Sequence, residues 1–306
     1  MIMITETDKI SASCRPSTYD ISEHNLNMFI QDFGSNVIPI YDSKSNAITC
    51  KLDPENKDFA ESLYELFPSN GQYYRTTFNK VILETIEYIA QHIVINALLV
   101  LELVKYKDAT EREFYKLEPI YGKEVKLKRD KVTQIVRDEV TQKLRAISIP
   151  LEKCYVIEFP ISLGGREKYS RFIKDFIDLS KLDPVMTFSH NQLKQQTGYN
   201  LKEHQRLFDI ELWTLTKKYN WHHREISGES FSGFYYIYRR LLFQKNKIIL
   251  RDHIIQELSR IIATISEKVF GHKVELIIEG LVSTDKVDEI LEQWKNGKPI
   301  TIKDIL

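Results

Sequence analysis

From Phe234 to Val269 the chain runs without a glycine or a proline. Apolar residues recur at Phe234, Ile237, Tyr238, Leu241, Ile248, Ile255, Leu258, Ile262, Ile265 and Val269. That spacing predicts one helix with an apolar stripe, closed by Gly271. At ~1.5 Å per residue such a rod is about 50 Å long, more than a compact domain ordinarily needs. A long, one-sided rod needs something to cover its stripe. The reading taken is that copies of the chain supply the cover, with Phe234, Ile237, Tyr238, Leu241 and Ile248 as the candidate oligomer interface.

Before the rod, the periodicity alternates between types. Residues 1–22 are polar and mixed and predict a loose arm. Residues 24–66 carry short alternating stretches, among them a strand at 36–42, a turn at 42–46 and a strand from Ala47. Residues 57–67 and 76–96 have helical spacing, the second through Phe78, Val81, Ile82, Ile86, Ile89 and Ile93. Strands are expected at 97–104, 114–120, 124–128, 133–137, 144–150 and 154–160, and Gly164-Gly165 breaks the chain. Helices follow at 167–180 and 201–219. After the rod come a strand at 274–281 and a helix at 285–295, capped by Ser283 or Thr284. The regions are 1–22 (arm), 23–165 (mixed, β-rich), 166–230 (helical) and 231–306 (rod, strand and last helix). The fold class is α+β.

The 306 residues hold 43 basic and 43 acidic side chains, a formal charge of zero. A surface gripping nucleic acid throughout would be basic, so any DNA contact must be local. The three cysteines, Cys14, Cys50 and Cys154, are widely spaced and fit neither a zinc site nor a disulfide framework. The most apolar run, Ile93-Val-Ile-Asn-Ala-Leu-Leu-Val-Leu, is far short of the ~20 residues of a membrane span. It reads as buried chain in a protein with no membrane association.

Motifs of catalysis are sparse. Walker A, GxGxxG, HExxH and GxSxG patterns are missing. Trp221-His-His-Arg-Glu offers His222, His223 and Glu225 to a metal, but adjacent residues point to different sides of an element. Asp108, Glu111 and Glu113, interleaved with Lys105, Lys107 and Arg112, read most simply as a solvated turn. The densest basic stretch holds Lys123, Lys126, Lys128, Arg129 and Lys131. Those five are the candidate DNA contacts, diluted by Glu124 and Asp130, so that a solvated hairpin face is the plainer reading. No cofactor is expected.

Helix 76–96 runs into a strand, followed by Leu117-Glu-Pro-Ile, a charged β excursion, and Ile149-Pro-Leu-Glu-Lys-Cys-Tyr-Val-Ile-Glu-Phe before a glycine corner. Arg251-Asp-His-Ile-Ile-Gln-Glu-Leu-Ser-Arg-Ile-Ile lies in the long helix, then come Val274-Glu-Leu-Ile-Ile-Glu-Gly-Leu, an Asp285-led helix and Gly297-Lys-Pro-Ile-Thr-Ile-Lys-Asp. This order of segments resembles the portal proteins of tailed phages, and the likeness spans roughly 30–304. It departs from the family's pattern in a short overall length and in Lys303-Asp304 where an acidic pair is usual.

The resemblance implies a wing over 30–160, stem helices at 166–180 and 203–219 with a clip between them, and a long helix from wing to crown. It implies a non-enzymatic structural subunit of a homo-oligomeric ring, typically a dodecamer, at one capsid vertex. Double-stranded DNA would pass through its channel during packaging and ejection. Terminase and head-tail connector proteins would dock on it. The protein would reside in the virion after assembly in the host cytoplasm. Two other readings stay open: a metal-dependent nuclease or defence enzyme using His222 and His223, and a monomeric adaptor whose long helix binds a partner.

Overall fold

The computed structural model describes residues 4–14, 24–38, 48–68, 77–122, 124–138, 141–182, 200–221 and 233–299. In chain order its elements are β1 (Ile4–Thr7), α1 (His24–Gly34), β2 (Thr49–Asp53), α2 (Lys57–Leu66), α3 (Phe78–Asn96), β3 (Leu98–Asp108), β4 (Glu113–Pro119), β5 (Glu124–Leu127), β6 (Lys131–Arg137), β7 (Leu144–Pro150), β8 (Cys154–Glu158), α4 (Gly165–Ser180), α5 (Leu201–Thr216), α6 (Gly233–Ile265), β9 (Glu275–Glu279) and α7 (Thr284–Lys295). The mixed α and β class and the long helix near the C-terminal end are as expected. Among the described residues no helix is long and apolar enough to cross a membrane.

Two compact units share these elements. One comprises Met1–Thr18, Ile38–Glu158 and Asp252–Leu281, and the other Tyr19–Val37, Phe159–Arg251 and Val282–Leu306. Each therefore draws on non-contiguous stretches, unlike the consecutive regions read from the sequence.

The first unit is organised by β3. Its helix α3 is nucleated by Thr77, whose side chain accepts from Lys80 N–H, and ends at Ala97 in the left-handed conformation. That turn sends the chain straight into β3, so the apolar run at 93–101 is half helix and half strand. β3 pairs antiparallel with β4 along one edge, and with β8 and β1 along the other. β5, β6 and β7 form a separate antiparallel meander, and β2 pairs with β9. The inward face of the meander packs Val132 and Ile149 with Val100 and Ile120, helped by Val125, Leu127 and Ile147. Alternation along each strand then leaves Glu124, Lys126 and Ser148 outside.

Residues 4–14 are not a loose arm. β1 registers Ile4 with Asp108 and Thr7 with Tyr106. Beyond it, Ile10 N–H and Ser11 N–H donate to the two carboxylate oxygens of Glu102 at 2.8 and 2.9 Å. Gln134 accepts from Ala12 N–H and donates back to Ala12 O, at 2.8 and 2.9 Å. Both anchoring side chains are fully buried. Their polar atoms need partners there, and the backbone of this segment supplies them.

The second unit is helical with an aromatic core. Phe29 lies within 6.0 Å, centroid to centroid, of Phe33, Phe172, Phe176, Tyr219 and Trp221. Phe159 stacks on Tyr169 at 3.7 Å. α1 stands where short alternating stretches are expected, and its Leu26, Phe29, Ile30 and Phe33 fall at i, i+3, i+4 and i+7 and are all buried. A strand was expected at 36–42. Within it, Asn36 has a positive φ of 55° and Val37 and Ile38 form a bend; the rest of that stretch and the turn at 42–46 lie outside the described residues.

Candidate functional site

The rod and the basic stretch carry the candidate residues read from the sequence, and the glycine corner marks the expected break.

α6 runs Gly233–Ile265 and is extended by a π-helical turn, Ser266–Phe270, which Gly271 ends at φ 76°. Its length is as expected and its surroundings are not. Leu241 and Ile248 are buried against Val287, Ile290 and Leu291 of α7, with Ile237, Tyr238 and Leu242 packed on the same cluster. Tyr238 also stacks on Trp294 with ring centroids 6.4 Å apart. The side chain of Phe234 lies outside the described residues. Leu241 and Ile248 are thus interior contacts of one chain rather than an open oligomer seam, and the half-buried Ile237 and Tyr238 lean on the same cluster. α7 is amphipathic, and its apolar face gains by covering this stripe without a second copy.

Three cations of α6, Arg239, Lys247 and Arg251, are buried as well, while Asp252, Gln256, Arg260 and Thr264 further along it are exposed. Lys247 Nζ donates to Ser35 O at 2.7 Å, and Arg251 Nη2 donates to Val282 O at 2.6 Å. Arg239 lies with its guanidinium 3.6 Å from the ring centre of Trp213 and donates to Trp221 O. Three cations on a helix that end on backbone carbonyls of their own chain are not a solvated face. Burial pulls the Arg239 guanidinium down to about 10. Among the described residues its Nε and Nη1 have no hydrogen-bond partner.

The basic stretch forms the β5–β6 hairpin. Lys128 N–H donates to Lys131 O at 2.8 Å and closes it. Lys126, Lys128 and Arg129 are exposed, Lys131 is half-buried, and Lys123 lies outside the described residues. Lys126 pairs with Glu124 at 3.0 Å, which reduces the local positive field. What remains is a small cationic tip at the 128–131 turn, on the outward face of the meander.

Gly164 and Gly165 have φ of 112° and 71°, conformations that L side chains rarely adopt. Gly165 N–H donates to Pro160 O at 2.9 Å, and Gly164 N–H to Ile161 O at 2.8 Å. Those amide protons are used within the corner that leads into α4.

The carboxylates near residue 110 build a hairpin turn. Asp108 Oδ1 accepts from Thr110 Oγ1, Thr110 N–H and Arg112 N–H, at 2.6, 2.8 and 3.1 Å. The Thr110 hydroxyl chiefly holds the Asp108 carboxyl below its ordinary range. Glu111 pairs with Lys107, and Glu113 with Lys105. His222, His223 and Glu225 lie outside the described residues. Among those described, no three His, Cys, Asp or Glu side chains gather as a metal site.

One polar constellation was not anticipated. Tyr88 Oη and Tyr121 Oη are 2.6 Å apart, and Tyr121 Oη lies 3.1 Å from His92 Nε2. Burial pushes His92 down to about 4, so it is a neutral hydrogen-bond partner at pH 7. Tyr88 also lines a cleft of about 490 Å³ with Tyr64, Phe67, Phe114, Lys116 and Glu118. The phenol–imidazole chain holds α3 to the segment after β4. A sequence signal for such struts exists in polar residues within apolar stretches: His92 inside α3, and Glu102 within Leu-Leu-Val-Leu-Glu-Leu-Val. No protein-family model matches the chain, and no curated protein shows significant similarity to it.

Proposed function

We propose that the chain is a structural, ring-forming subunit of the tailed-phage portal type. The observation that supports this reading is the order of its elements. A helix turns through Ala97 directly into the long strand β3. A three-stranded sheet is inserted before the chain returns to β3 through β8. A glycine corner then leads to α4 and α5, followed by the long α6, a strand and a capped helix. In this reading DNA passes through the ring, and its near-neutral charge suits sliding, because each tight phosphate contact would retard it. The packaging motor and the tail connector are its partners, and it works within the virion.

The covering of α6 relocates the subunit contacts. Burial energy at Leu241 and Ile248 is already realised within one chain, so a ring must be held by other surfaces. The same observation favours a second reading, a monomeric adaptor, whose partner would then have to meet a surface other than the covered Leu241–Ile248 stripe of the helix. Light scattering coupled to size exclusion, with negative-stain imaging, separates the two. The ring reading expects a discrete multi-subunit particle with annular projections. A strict monomer at every concentration and ionic strength tested would overturn it in favour of the adaptor.

A further inference from the structure

The meander β5–β6–β7 has two outer edges, and they are unequal. Asp138 N–H donates to Lys143 O and Leu151 N–H to Asp130 O, at 2.9 and 3.0 Å. Between these, β6 and β7 register from Lys131↔Pro150 to Arg137↔Leu144. The alternation of an antiparallel ladder then turns the amides and carbonyls of Arg145, Ile147 and Ile149 toward β6. Those of Leu144, Ala146 and Ser148 point outward, where among the described residues no strand pairs with them. By the same reasoning, the Lys128–Lys131 bond and the register Glu124↔Ile135 turn Val125 and Leu127 of β5 outward.

Natural sheets ordinarily blunt such edges with charge, proline or brevity. β5 has all but the proline: four residues, with Glu124 and Lys126 on them. β7 has seven, Arg145 is its one charged residue, and Pro150 lies only at its far end. At the opposite end, Leu144 is 54% exposed.

We propose that β7 is an assembly edge that receives β5 of a second copy in parallel, so that the meander continues from subunit to subunit. This rests on the ring reading and names its contact. With Ala146 set against Lys126 of the second copy, the outward groups match one for one. The second copy's Val125 N–H donates to Leu144 O, and its Val125 O accepts from Ala146 N–H. Its Leu127 N–H donates to Ala146 O, and its Leu127 O accepts from Ser148 N–H. All four outward groups of β5 are thereby used. On the apolar face, Val125 and Leu127 of the second copy fall beside Arg145 and Ile147, which prolongs the cluster that Val125, Leu127 and Ile147 already pack on within each chain. On the outer face, Glu124, Lys126 and Lys128 fall beside Leu144, Ala146 and Ser148, so no like charges oppose each other. The contact is head-to-tail, and each added copy leaves one edge of each kind free until a ring closes.

The test is disulfide trapping with Lys126→Cys and Ala146→Cys, read on a non-reducing gel against the wild type. Both sites are exposed. Within one chain they are separated by at least two strand spacings, roughly 10 Å, too far for a disulfide. The doubly substituted chain is expected to oxidise into a covalent ladder of multimers, and each single variant to match the wild-type pattern. A second variant, Ala146→Pro, deletes an outward amide that the β6 ladder does not use. It is expected to keep its circular dichroism spectrum and lose assembly. Dimer formation by Ala146→Cys alone would overturn the assigned partner strand, since it would show β7 meeting β7. An assembled wild type with no ladder from the double variant, and with Ala146→Pro still assembled, would overturn the inference while leaving the ring reading intact. A wild type that never assembles would overturn both.

Discussion

The two units solve the same problem with different materials. The helical unit fills its centre with rings: Phe29 alone meets five aromatic neighbours. The sheet-bearing unit fills its centre with branched aliphatics from α3, β3 and the meander, and ties its margins with buried polar groups, Glu102, Gln134 and His92. Large rings concentrate stability in a few side chains. Small aliphatics spread it, and the polar ties make it dependent on protonation. The first unit should therefore respond to pH, and the second to single truncations.

The largest effect is expected from Phe29→Ala, which opens a cavity shared by five rings and should cost about 3–5 kcal/mol in denaturant unfolding. Ile89→Val in the aliphatic core should cost only about 1 kcal/mol. Equal losses would erase the contrast between concentrated and distributed cores.

Next comes pH. His92 sits at about 4 in the folded chain, below its ordinary 6.5. The unfolded chain therefore takes up the proton first. Stability contributed by neutral His92 is complete above pH 6.5 and is lost as pH falls toward 4, by on the order of 3 kcal/mol. His92→Gln should flatten that part of the profile; an unchanged slope would assign the acid sensitivity elsewhere.

Glu102→Gln replaces one of two acceptors with a donor facing backbone N–H groups. About 2 kcal/mol should be lost, together with hydrogen-exchange protection at Ile10 and Ser11. Protection that persists would show the N-terminal segment to be held by β1 pairing alone. Arg239→Met exchanges a buried, incompletely bonded cation for an apolar chain of similar reach, and should raise stability by about 1 kcal/mol. A loss of that size would mean that stacking on Trp213 outweighs the desolvation. The mildest probe is thiol labelling. Burial pushes Cys50 and Cys154 up to about 12, so Cys14 should react first near pH 8 and Cys50 only on unfolding.

Much of this architecture was readable from periodicity. α3, α6 and the strands of the meander have bounds within a few residues of those expected, and Ser283 caps α7 by accepting from Lys286 N–H. β1 left no signal because all four of its residues are exposed and no face alternates. α1 was hidden by polar spacing residues between buried ones. The rod shows a deeper gap. Its stripe was real, but a stripe does not say whose chain will cover it. α7, whose own apolar face is short, was the answer for Leu241 and Ile248. The long cations of α6 carry no sequence signal of their burial either, since nothing in the pattern around Lys247 and Arg251 shows the carbonyls of the same chain that receive them. Neither β7 edge nor cleft could be read, because both are properties of pairing rather than of pattern.

β3 binds β1 across a separation of 102 residues, Thr5 to Lys107. On the ribosome, the stretch made first must wait, unpaired, until the strand that seats it has emerged. Non-local pairings of this kind slow folding, and they leave the waiting segment open to chaperones, proteases or fused tags. A bulky fusion placed just ahead of Ile4 should therefore burden the maturation of the sheet far more than the same fusion beyond α7.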